Sequence, residues 1–140
     1  MRYYLSIGAN LGEREVTIKQ SLEKIEQQIG HISRCSSFYY SEPWGFESEH
    51  AFCNICCCVN TELEPFSMLA ATQAIEQQLG RSHKSVNGHY TDRTIDIDII
   101  LAFDGENEVV ISTPELTIPH PLWQQRDFVC VPLREISDPE

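Results

Sequence analysis

The sequence predicts an α+β sandwich in βαββαβ order, and three observations carry that prediction. Four stretches read as strands. Two segments between them repeat their apolar residues at mostly helical spacing, and glycine or proline marks the changes of pattern.

Tyr3 to Ile7 alternates as a strand, and Gly8-Ala9-Asn10-Leu11-Gly12 turns the chain. From Arg14 to Ile29 the positions Val16, Ile18, Leu22, Ile25 and Ile29 give a helix that Gly30 ends. Ile32 to Tyr40 reads as the second strand, and Ser41 to His50, with Pro43 and Gly45, as a loop. A cysteine-rich strand follows, then a helix after Pro65 carrying Phe66, Leu69, Ala70, Ile75 and Leu79 and stopping at Gly80. The polar stretch 81 to 92 is a long loop, and Ile95 to Phe103 returns as a strand. Val109 to Ser112 is a candidate short strand. The remainder is expected to be irregular, because Pro114, Pro119, Pro121, Pro132 and Pro139 oppose long regular elements. This order is that of a ferredoxin-like sandwich, whose mostly antiparallel sheet carries two helices on one face and leaves the other face for an active site. Many unrelated functions use that layout, so chemistry must be read from residues.

Arg93-Thr94-Ile95-Asp96-Ile97-Asp98-Ile99-Ile100 carries the most chemical information. On a strand Asp96 and Asp98 share a face while Ile95, Ile97 and Ile99 fill the opposite one. Two carboxylates held so close repel, and a divalent cation or a clamp of basic residues relieves them. Mg²⁺ suits such a pair, since one or two carboxylates leave its other octahedral positions to water or phosphate. Asp-x-Asp alone is equally compatible with an edge strand bearing one solvated acidic face.

At 140 residues the chain is read as one domain, residues 1–140, and 41% apolar content fits a globular protein. A net charge of −11 argues against general nucleic-acid binding, which needs basic surface. Cations nevertheless gather between residues 81 and 93, where Arg81, His83, Lys84, His89 and Arg93 face one acid, Asp92. That suggests a small anionic ligand or, equally, a solvated loop. Nothing at the N-terminus resembles a signal peptide, and no segment is long and apolar enough to span a membrane. The expected location is therefore cytoplasmic, with Cys35, Cys53, Cys56, Cys57, Cys58 and Cys130 as reduced thiols. Cys53 and Cys56 match the Cys-x-x-Cys spacing of metal and redox sites, but a strand would put them on opposite faces, as small apolar core residues.

An ordered set of motifs resembles the 6-hydroxymethyl-7,8-dihydropterin pyrophosphokinase family across nearly the whole chain. It runs from Ile7-Gly8-Ala9-Asn10-Leu11-Gly12 through Ser37-Phe38-Tyr39, Phe52-Cys53-Asn54, Ile75-Glu76-Gln77-Gln78-Leu79-Gly80-Arg81 and the Asp96/Asp98 strand. It ends with Pro119-His120-Pro121 and Arg126-Asp127-Phe128-Val129. The resemblance implies transfer of pyrophosphate from ATP to 6-hydroxymethyl-7,8-dihydropterin in folate biosynthesis, with release of AMP. It implies two Mg²⁺ ions on Asp96 and Asp98, and catalytic phosphate contacts from Arg81 and Arg93. ATP contacts fall to Gln73, Glu76, His83, Thr117, His120 and Arg126, and the pterin pocket to Ser41, Trp44, Phe52, Asn54 and Phe128. A monomer or weak dimer is expected. Two alternatives stay open: a Mg²⁺-dependent nucleotidyltransferase, and a non-catalytic module, either a pterin-binding paralogue or a metal carrier using Cys53 and Cys56.

Overall fold

The computed structural model describes residues 1–9, 13–41, 52–80 and 95–137. Elements follow in the order β1 (Arg2–Ala9), α1 (Arg14–Gln28), β2 (His31–Cys35), β3 (Tyr39–Ser41), β4 (Phe52–Asn60) and α2 (Pro65–Gln78). Then come β5 (Asp96–Asp104), β6 (Asn107–Glu108), β7 (Ile111–Ser112), β8 (Thr117–Ile118), a 3₁₀ turn at Trp123–Gln125 and α3 (Asp127–Ser137).

The main sheet runs β2-β4-β1-β5-β6 with every pairing antiparallel, and β3 joins β4 beyond the end of β2. The expected second strand is therefore two. Ser36–Phe38 interrupt it, where Ser36 donates its backbone N–H to Cys56 O while its hydroxyl accepts from Cys56 N. A side-chain oxygen has replaced a ladder carbonyl, and the strand breaks there.

Both expected helices pack on one face. Ile18 and Ile25 of α1, and Met68 and Ile75 of α2, close over Tyr3, Leu5, Ile7, Ile55, Cys57, Val59, Ile97 and Ile99. Helix α2 starts firmly, because the Glu64 carboxylate accepts from Phe66 N and Ser67 N and Pro65 opens the first turn. Its buried stripe, Met68, Thr72, Ile75 and Glu76, contains one carboxylate.

The C-terminal region corrects the sequence reading. Instead of irregular chain, eleven residues form α3, with Pro132 inside the helix, and they pack on the face that was expected to stay open. Val129, Pro132, Leu133 and Ile136 fall at i, i+3, i+4 and i+7, so one stripe is buried against Cys56 and Ile100. Burying several apolar side chains at roughly 1.5–3 kcal/mol each outweighs the ~3 kcal/mol that an interior proline costs a helix. No described helix is long and apolar enough to cross a membrane.

Candidate active site

The register of the three central strands builds the site row by row. Gly8 of β1 lies opposite Asn54 on β4 and Asp96 on β5, and Ser6 lies opposite Cys56 and Asp98. Opposed residues share a face, so Asn54, Cys56, Asp96 and Asp98 point to the α3 side. Ile95, Ile97 and Ile99 all enter the core on the other side, as the alternation requires. Asp96 and Asp98 are half-buried. Among the described residues no group of three or more His, Cys, Asp or Glu side chains forms a metal cage. Two same-face carboxylates fit Mg²⁺, which keeps several positions for water and phosphate oxygens.

Asn54 is 4% exposed, and its Oδ1 is buried with no hydrogen-bond partner among the described residues. An orphaned buried acceptor is costly, at about 1–3 kcal/mol, unless a ligand donor reaches it. Gly8 makes room for this amide, since any side chain there would collide with the Asn54 Nδ2. Tyr39 of β3 sits opposite Asn54 on its other flank, and Ser41 opposite Phe52. Phe52 and Asn54, two apart on β4, face the same way. Phe128 arrives from the start of α3, packed against the cluster of Cys56, Ile100, Val129, Leu133 and Ile136. The Arg126 guanidinium lies 5.7 Å from its ring centroid.

A second group of residues lies along the outer edge of β5. Strand β6 pairs only with Phe103 and Asp104, so the first half of β5 has no strand on that side among the described residues. Other groups cover this stretch: Glu76 Oε2 accepts from Ile97 N at 2.7 Å, and His120 N donates to Ile100 O at 3.0 Å. Glu76 is 5% exposed. Gln73, one turn earlier on α2, is exposed, and Thr117 is exposed on β8, where its hydroxyl donates to Thr113 O at 3.3 Å. His120 Nδ1 accepts from Leu122 N at 3.2 Å, which fixes the proton on Nε2 and makes that nitrogen a donor. Burial, helped by the Arg126 charge and opposed by Asp96, holds the imidazole below the usual histidine range.

The structure thus gathers Asn54, Phe52, Phe128, Asp96 and Asp98 on one face, with Glu76, Thr117 and His120 along the edge of β5. Arg81, His83, Arg93 and Trp44 lie outside the described residues, as do the loop read at 81–92 and the loop read at 41–50 apart from Ser41, which instead ends β3. Sequence reasoning missed the place of Tyr39 beside Asn54, although the Ser37-Phe38-Tyr39 motif carried the signal. It also missed the bond between Glu76 and the strand of Asp96 and Asp98, for which no local pattern exists. The cysteines behave as expected: Cys53 enters the helix-side core and Cys56 the α3-side cluster, so the pair forms no common site. Burial pushes the Cys56 thiol up to about 12, which removes it from thiolate chemistry.

A model of the 7,8-dihydro-6-hydroxymethylpterin-pyrophosphokinase family matches residues 4–138. The 2-amino-4-hydroxy-6-hydroxymethyldihydropteridine pyrophosphokinase of Porphyromonas gingivalis is 46% identical over 134 residues, covering 96% of this chain and 89% of its own. The Bacillus subtilis enzyme of the same name is 37% identical over 134 residues, covering 95% of this chain and 76% of its own. A solved structure described as HPPK-DHPS in complex with substrates superposes with a TM-score of 0.70 at 16% identity, over 96% of this chain and 40% of that one, which supports the fold. With its motifs in register on that fold, this chain belongs to the 7,8-dihydro-6-hydroxymethylpterin-pyrophosphokinase family.

Proposed function

We propose that this pyrophosphokinase of folate biosynthesis works at the sheet end where Asn54, Gly8 and Asp96 form one row and Cys56, Ser6 and Asp98 the next. The observation that carries the reading is the pairing of two same-face carboxylates on β5 with a buried amide oxygen on β4, across β1, that has no partner among the described residues. A metal–phosphate site and a site for a flat, donor-rich heterocycle are thereby adjacent. The 6-hydroxymethyl-7,8-dihydropterin ring lies between Phe52 and Phe128, with Asn54 Oδ1 accepting from its ring edge and Ser41 and Trp44 bordering it. Its hydroxymethyl oxygen attacks the β-phosphorus of ATP, the bond from that phosphorus to the α–β bridging oxygen breaks, and AMP leaves while the hydroxyl proton is lost.

Asp96 and Asp98 would hold Mg²⁺, two ions in this reading, which would neutralise phosphate charge and help align the entering and leaving oxygens. Arg81 and Arg93 spread their charge over the transferring group, and His120 donates through Nε2 to a phosphate oxygen. Gln73, His83, Thr117 and Arg126 line the nucleotide path. Positioning and electrostatics carry the reaction, because phosphoryl transfer offers little covalent work to a protein. The enzyme acts as a single cytoplasmic domain, a monomer or weak dimer.

Product identity tests the reading. Incubation with ATP, Mg²⁺ and the hydroxymethyl dihydropterin should yield AMP in step with pterin diphosphate. Release of inorganic pyrophosphate would instead assign a nucleotidyltransferase, and pterin binding without any nucleotide product a non-catalytic paralogue.

A further inference from the structure

We infer that Glu76 is a positioning residue for the Asp96/Asp98 pair, acting through the backbone of Ile97, and is not simply a nucleotide contact; this rests on the reading of the two aspartates as metal ligands. Glu76 is 5% exposed and its Oε2 accepts from Ile97 N at 2.7 Å, a bond between α2 and β5 that spans 21 residues of sequence. Ile97 is the residue between the two carboxylates.

In an antiparallel strand the backbone groups of alternate residues point to opposite edges. With the Ile97 N–H turned outward to Glu76, those of Asp96 and Asp98 turn inward to Gly8 and Ser6 of β1. The Asp-x-Asp unit is therefore held at three successive residues, alternately from the two sides. Without Glu76 the middle point is open. The partial pairing of β6 leaves no neighbouring carbonyl among the described residues to take the Ile97 N–H, and the other anchor on this edge, His120 N to Ile100 O, comes three residues later. A charged acceptor makes a shorter and stronger bond than a carbonyl, which suits a strand whose two carboxylates repel and pull it out of register. The helix that supplies Glu76 is itself fixed by its Met68, Thr72 and Ile75 stripe, so the clamp transmits the rigidity of the core to the metal ligands.

The test titrates Mn²⁺, read by its paramagnetic signal, into the full chain with a non-hydrolysable ATP analogue present, alongside amide exchange at Ile97. Glu76→Gln keeps an acceptor oxygen at the same reach without the charge. Glu76→Asp keeps the charge but draws the oxygen back by one methylene, and both preserve a polar side chain in a folded core. Glu76→Asp should lower Mn²⁺ affinity roughly 10–100-fold, the range found when a partner that orients a metal ligand is lost. It should also speed exchange at Ile97, while metal-free binding of the analogue stays unchanged. Glu76→Gln, which keeps the reach and loses only the charge, should fall between the native chain and Glu76→Asp in Mn²⁺ affinity and Ile97 exchange, again with metal-free analogue binding unchanged. Native Mn²⁺ affinity or unchanged Ile97 exchange in Glu76→Asp overturns the proposal. So does a Gln variant as weak as the Asp one, which would assign the effect to charge, or a loss confined to metal-free analogue binding, which would make Glu76 a nucleotide contact. If the native chain itself takes up no Mn²⁺, the assignment of Asp96 and Asp98 fails instead.

Discussion

Asn54 matters most at the residue scale, because its buried acceptor has no partner among the described residues and in the proposed reading meets a donor of the pterin. Asn54→Ala should therefore weaken pterin binding by about 1–3 kcal/mol, raising KM with little change in kcat or in ATP affinity. Calorimetric titration of the pterin into both proteins checks this, and equal affinity would move the pocket elsewhere. His120 gives a pH signature. Its folded pKa is depressed, chiefly by burial, below the ordinary value of about 6.5, so the unfolded chain takes up its proton first as pH falls. The corresponding stability is present above the unfolded pKa and is lost as pH falls through the folded one. Urea midpoints of the metal-free protein should show native minus His120→Gln stability flat above about pH 6.5 and shrinking below it. A difference that grows on acidification would mean that the ring is charged in the fold.

At the scale of elements, α3 covers part of the sheet face proposed for the site, since it carries Phe128 on its first turn and seats that turn through Val129, Leu133 and Ile136. Leu133→Ala should cost about 2–5 kcal/mol of stability by opening a cavity over Cys56 and Ile100. The same change should raise the pterin KM by loosening Phe128, and chemical denaturation with steady-state kinetics reads both effects. A normal pterin KM in a clearly destabilised variant would detach Phe128 from the pocket. Helix α3 was also the element least legible in the sequence. Its one proline, Pro132, carries a strong local signal against regular structure, whereas the opposing signal, a stripe complementary to Cys56 and Ile100, exists only once β4 and β5 are side by side. The strands β1, β4 and β5 and the helices α1 and α2 were legible because period alone marks them, and the Asp96/Asp98 face followed from alternation. The Tyr39–Asn54–Gly8–Asp96 row depends on strand order and register, which sequence period does not contain.

On the scale of the whole molecule, two cores divide the labour: a larger one under α1 and α2 that fixes the sheet, and a smaller one under α3 that adjoins the site. The cysteines belong to this packing. Cys53, Cys56, Cys57 and Cys58 are buried on β4, and burial drives the Cys57 thiol far above its usual range, while Cys35 is exposed. A thiol reagent should modify Cys35 first and leave those four untouched until unfolding; rapid labelling of Cys53 or Cys56 in the native state would reopen the metal-carrier reading. Ala9 closes β1, and Phe52 and Asp96 open β4 and β5, at one end of the sheet, the end that carries Asp96 and Asp98. The account places the reaction there, and Mg²⁺-dependent AMP release by Asp96→Ala and Asp98→Ala beside the native chain tests that placement most directly. Both variants should lose pyrophosphoryl transfer while the metal-free proteins melt at or above the native temperature, since removing one of two crowded carboxylates relieves their repulsion. Native rates of AMP release from either folded variant would contradict the account.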